Sequence, residues 1–109
     1  MAFQLKPGCQ ARGVQPEILL ALQIIDGVYG ILGVPLWDVT ELTGSKHMTG
    51  SKHYIGQGAD LRLPSRYVTQ GGVDSAAARM MRERLGAEYD VVVESNHVHL
   101  EFDPDPKPV

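Results

Sequence analysis

Apolar residues recur along the first third of the chain at Ile18, Leu22, Ile25, Tyr29 and Leu32. Spacings of three and four lay these side chains on one stripe of an α-helix, so the pattern predicts a helix over residues 16–32. Pro16 suits the first helical turn, Glu17 complements the positive end of the dipole, and Gly33 is a fitting stop. Gly27 and Gly30 weaken the helix and allow close packing against a sheet. Strand-like alternation follows. Trp37 and Val39 alternate with polar neighbours in residues 35–40, and residues 58–63 alternate until Pro64 ends them. There Asp60 shares a face with Gly58 and Arg62, opposite Leu61 and Leu63. Asp74 is placed to cap a helix over residues 75–85 that Gly86 closes, with Arg79, Arg82 and Arg84 as a solvated face. Residues 89–93 form a β-branched strand. Ser95 and Asn96 then read as the centre of a tight turn from which residues 98–102 return. Residues 1–15 read as an extended lead-in, and residues 41–50 as a loop.

These elements predict an α+β fold, a small antiparallel sheet packed against two main helices. One domain over residues 1–103 accounts for them, followed by an extended Pro-rich tail over residues 104–109. Composition narrows the function classes. A chain of 109 residues with 43% hydrophobic and 21% charged residues is globular in character. A formal net charge of -3, with no block of Lys and Arg, argues against a nucleic-acid partner. The single cysteine, Cys9, excludes an internal disulfide framework. The longest apolar stretch is broken by Gln23, Asp26, glycines and a proline, so no membrane span is expected. No secretory signal is visible, so the chain is expected to be made in the cytoplasm.

Candidate chemistry lies in two clusters that hold all four histidines, His47, His53, His97 and His99, in or beside them. The first is Ser51-x-His53-x-x-Gly56-x-Gly58-x-Asp60, in which a strand–turn–strand can aim an imidazole and a carboxylate at one spot. Gly56 and Gly58 supply the positive-φ freedom of such a turn. The second is Glu94-Ser-Asn-His97-Val-His99. Residues two apart on a strand point the same way, so His97, His99 and Glu101 share a face. The hairpin sets Glu94 across from His97. Asp60, His53 and one of the pair His97/His99 then make a mixed N and O site with one zinc position open, as catalytic zinc requires. Glu101 reads as a supporting or solvated group.

The two motifs together resemble the zinc peptidase superfamily of D-Ala-D-Ala carboxypeptidases and dipeptidases. That superfamily also contains phage L-alanyl-D-glutamate endolysins and the hedgehog signalling domain. The resemblance spans residues 39–102. It implies one zinc ion held by His53, Asp60 and His99, with Glu94 as general base and His97 near the transition state. A register in which base and ligand are spaced Glu-x-x-His makes His97 the ligand and His99 its neighbour, and both registers stand open. His47, six residues before His53, matches a histidine of the hedgehog branch. With Ser51 it is the expected substrate-side group. The arginine that precedes the first ligand in many of these peptidases has no counterpart here, where the segment reads Thr43-Gly-Ser-Lys46-His47. Lys46 and Arg62 are the available substitutes.

The function so implied is hydrolysis of D-amino-acid-containing stem peptides of bacterial peptidoglycan by a phage- or prophage-encoded enzyme that reaches the wall by release or another export route. Glu94 would take a proton from water and pass it to the leaving amine, while His97, assisted by His47, steadies the oxyanion. The alternative from a different class is a non-catalytic, zinc-stabilised binding module of hedgehog-like type.

Overall fold

The computed structural model describes residues 2–43 and 56–104. The elements are β1 (Ala2–Leu5), α1 (Pro16–Ile31), β2 (Leu36–Glu41), β3 (Gly58–Leu61), a 3-10 turn at Pro64–Arg66, α2 (Val73–Leu85), β4 (Tyr89–Val93) and β5 (Val98–Phe102). The fold is α+β, with the five strands in one sheet of order β1-β2-β3-β5-β4. The β2–β3, β3–β5 and β4–β5 pairings are antiparallel. The lead-in differs from its expected extended coil. Residues 2–5 join β2 in a parallel pairing, placing Phe3 beside Trp37 and making the sheet mixed where an antiparallel one was expected.

Both helices lie against one face of the sheet. The stripe of α1 buries Ile18, Leu22, Ile25, Val28 and Tyr29 over Trp37, Val39, Ala59, Leu61, Val98 and Leu100. The Tyr29 ring stacks on Trp37 with centroids 4.4 Å apart, and Trp37 Nε1 donates to Asp26 Oδ1 at 2.9 Å. A polar tip satisfied in this way lets a large ring sit in the core without an orphaned donor.

Asp74 does not cap α2. Gly72, at φ +72°, occupies the cap position, and the Asp74 carboxylate instead accepts from Ser65 N at 2.8 Å and Ser65 Oγ at 2.7 Å. It therefore fastens the 3-10 turn to α2. Arg82 is more than a solvated arginine, since its Nε and Nη2 donate to Val91 O at 3.0 and 2.7 Å, tying α2 to β4.

A second polar tie anchors the sheet to the 3-10 turn. Tyr67 Oη donates to Asp38 Oδ2 at 2.6 Å and accepts from Asp38 N at 2.8 Å. The bond from Tyr67 holds the Asp38 carboxyl below its ordinary value, while burial and the same bond push Tyr67 up to about 12. A depressed carboxyl stabilises the fold above its unfolded value of 3.8 and loses that contribution as pH falls through the folded one. A raised phenol stabilises below its unfolded value of 10.0 and loses this as pH rises through about 12. Tyr67→Phe is expected to cost about 1–2 kcal/mol at neutral pH, discounted for partial exposure. In chemical denaturation the gap between wild type and variant should narrow below pH 3.8 as Asp38 is protonated. A constant gap would count against the charge-assisted bond.

The glycine at the entry to β3 is conformationally required. Gly56 has φ +74°, and a Cβ there would stand 2.1 Å from Gly13 O. Its own carbonyl accepts from Gln15 N at 2.9 Å. Gly56→Ala is expected to destabilise by about 2–4 kcal/mol, from left-handed strain plus the backbone clash. Thermal or denaturant unfolding measures it; a loss below 1 kcal/mol would mean that the loop shifts freely. Gly58, by contrast, is not among the positive-φ glycines and sits buried in β3.

Candidate metal centre

The face of the sheet away from the helices carries the polar chemistry. Alternation along β5 sends Val98 and Leu100 into the core and turns His99 and Glu101 outward, with His97 just before the strand on the same side. Asp60 is the cross-strand partner of His99, so its carboxylate arrives on that face from β3. The hairpin forms as its sequence suggests. Val93 pairs with Val98, and Glu94 N donates to His97 O at 2.8 Å, closing the turn. No non-glycine residue has positive φ among the described residues, so this turn is not of the primed type that Asn-Gly favours.

Asp60, His97 and His99 offer one oxygen and two nitrogens that all lie within 4.8 Å of one another. Each is half-buried, with side-chain exposures of 14%, 28% and 22%. The two histidines are held differently. His97 Nδ1 lies 2.6 Å from Asn96 Oδ1. An amide oxygen only accepts, so Nδ1 donates there, which leaves Nε2 directed to Asp60 Oδ1 at 3.6 Å. His99 meets carboxylates on both sides, Nδ1 at 2.8 Å from Asp60 Oδ1 and Nε2 at 2.9 Å from Glu101 Oε1. The bond to Asp60 foremost, then that to Glu101, overcomes burial and raises its pKa to about 9. His99 is an imidazolium at neutral pH in the metal-free chain.

This donor set fits a borderline cation such as zinc. Two ligands about 2.0–2.1 Å from a tetrahedral zinc stand roughly 3.3–3.5 Å apart. The 3.6 Å between His97 Nε2 and Asp60 Oδ1 is close to that separation. The 2.8 Å contact of His99 is a hydrogen bond and must open, with loss of a proton, before that nitrogen could ligate. Nothing in the donor set singles out zinc from its neighbours.

His47, Ser51 and His53 lie outside the described residues. Glu94 is exposed on the turn and outside the cluster of Asp60 and the histidines. Glu101 takes the supporting place expected of it, on His99. A cleft of about 390 Å³ opens beside Asp60 and His97, and its lining brings in groups that the sequence did not flag: Lys6, Glu41, Arg66 and Asn96. Asn96 had a visible signal, since it precedes His97. Glu41 had none. The sequence reads it as the first residue of the 41–50 loop, whereas β2 runs through it. A bulge intervenes, because Val39 pairs with Leu61 while Glu41 pairs with Asp60, and the extra residue turns Glu41 toward Asp60. Thr40 Oγ1 donates to Asp60 O at 3.2 Å within the bulge.

Compared with protein-family models, curated proteins and solved structures, the chain gives no match. Among the described residues, no helix is long and apolar enough to cross a membrane.

Proposed function

We propose that this chain is a zinc-dependent peptidase that hydrolyses D-amino-acid-containing peptides of bacterial peptidoglycan. One observation carries the reading: Asp60 and a histidine pair from a distant hairpin converge on the open face of the sheet, beside a polar cleft. In this proposal Asp60 and His97 are ligands, with His53 the sequence's choice for a further one. The orientation of His97 by Asn96 supports that register, because metal-binding histidines donate their other ring N–H to a fixed acceptor. His99, gripped by Glu101, holds the Asp60 carboxylate in place.

Bound zinc supplies a Lewis acid that acidifies water and polarises a carbonyl. The chain's own residues do the rest. The peptide lies in the cleft next to Asp60 and His97. Glu94, across the turn from His97, accepts the proton of the attacking water on its carboxylate and returns it to the leaving amine. The hairpin that carries both residues sets the distance between base and ligand.

Exposure of Glu94 favours a second reading, a zinc-stabilised binding module without turnover. Zinc titration of metal-stripped protein, followed by mass spectrometry of digested muropeptides, separates them. Stoichiometric zinc with cleaved stem peptide is the expected result. Zinc uptake without cleavage supports the module, and absence of zinc uptake overturns both.

A further inference from the structure

The outer side of α1 carries a second apolar stripe. Leu20, Ile24, Gly27 and Ile31 recur at spacings of four, three and four, on the side opposite Ile18, Leu22, Ile25 and Tyr29. Leu20 and Ile31 are 56% and 58% exposed, and no residue of the stripe is charged. The charged residues of the helix stand aside from it: Asp26 accepts from Trp37, and Glu17 lies half-buried in the first turn. A helix that is apolar all round is the kind that is covered on both sides. Gly27 turns away from the sheet, contrary to the packing role its sequence suggested. A Cβ there would meet one atom from outside the helix, Arg84 Nη1 at 3.6 Å, and its φ is not positive. Nothing among the described residues therefore requires glycine, which weakens the helix at this point. The result is a notch between Ile24 and Ile31 on an exposed face.

We infer that this stripe is the contact between two copies of the chain, their α1 helices packed antiparallel about a two-fold axis between Ile24 and Gly27. Reversed against itself, the stripe sets Ile24 of each copy into the Gly27 notch of the other, and Leu20 against Ile31. Large meets small at the centre and large meets large at the ends, with no like charges brought together along it. A two-fold interface requires such self-complementarity. Glycine at the crossing lets the two helices approach to the lower end of their usual separation of roughly 8–10 Å. Pairing the stripes, with Leu19 and Gln23 at their margins, removes about 800–1,000 Å² from water, so the association is weak and concentration-dependent. A lipid surface would make no use of the notch. The metal cluster lies on the opposite face of the sheet, so both clefts stay clear of the contact. The inference is independent of the peptidase reading.

Sedimentation equilibrium of the full chain tests it. The average mass is expected to rise from 11.9 kDa toward twice that value between about 10 µM and 1 mM. Ile31→Lys puts a charge at an exposed position where the helix dipole favours it, and should weaken association about tenfold or more. Gly27→Leu fills the notch with a better helix former. It should weaken association comparably while raising the thermal midpoint of the monomer, and adding Ile24→Ala should recover part of the loss. A wild type that stays monomeric at about 1 mM overturns the inference, as does a dimer indifferent to Ile31→Lys and Gly27→Leu. A loss in Gly27→Leu that Ile24→Ala does not relieve overturns the antiparallel pairing. Co-sedimentation of a monomeric wild type with phosphatidylglycerol vesicles would also overturn the dimer and assign this face to lipid.

Discussion

Asp60→Ala and His97→Ala are expected to abolish stoichiometric zinc binding, whereas His99→Ala should weaken it by only about 10–100-fold, the usual effect of losing a group that orients a ligand. The difference follows from how the rings are held. His97 turns Nε2 toward Asp60 at 3.6 Å, with Nδ1 committed to Asn96. His99 has a carboxylate on each nitrogen and carries a proton in the metal-free chain. Removing Asp60 deletes a proposed ligand and strips His99 of its main partner. Removing His99 leaves Asp60 able to bind, with its orientation relaxed. Competition against a zinc-chelating dye measures all three variants. Complete loss in His99→Ala with retention in His97→Ala would place the ligand at His99 and make His97 the neighbour.

Glu94→Ala is expected to bind zinc within about twofold of wild type and to lose about 10²–10⁴ in turnover on purified muropeptides, the usual scale of a general base. Glu94 enters the hairpin through its backbone N–H, which bonds to His97 O at 2.8 Å, so truncating the side chain leaves the turn closed. The candidate ligand atoms belong to Asp60, His97 and His99, and none of them comes from the Glu94 side chain. Turnover and affinity are thus separable at this position. Full activity in the variant would remove Glu94 from the chemistry, and lost zinc binding would make it structural.

The helical stripe of α1, the β-branched run of β4 and the alternation of β5 were legible because each buries one face, which imposes its period on the sequence. The same alternation foretold that His97, His99 and Glu101 share a side. Two failures have equally local causes. Asp74 has the chemistry of a cap, and its neighbours suit one, but the Ser65 N–H and hydroxyl claim its carboxylate from outside the helix. Strand β1 is short and bounded by Pro7 and Gly8, too brief for a period, and only the exposed edge of β2 makes it a strand.

By itself, the sequence determined which side chains could do chemistry at all: four histidines gathered near two acidic motifs, and a strand whose alternation turns His97 and His99 away from the core. It also determined the α+β class, since helical and strand periods are written in single residues. Tertiary structure decided the pairings. Strand β5 lies between β3 and β4, which brings Asp60 against His99 across 39 positions of sequence. The bulge at Thr40 turned Glu41 to the metal side, and the parallel seat of β1 brought Lys6 to the cleft. Periodicity reports which face a residue occupies; it carries no information about which strand lies alongside, and a site built from facing strands is settled there.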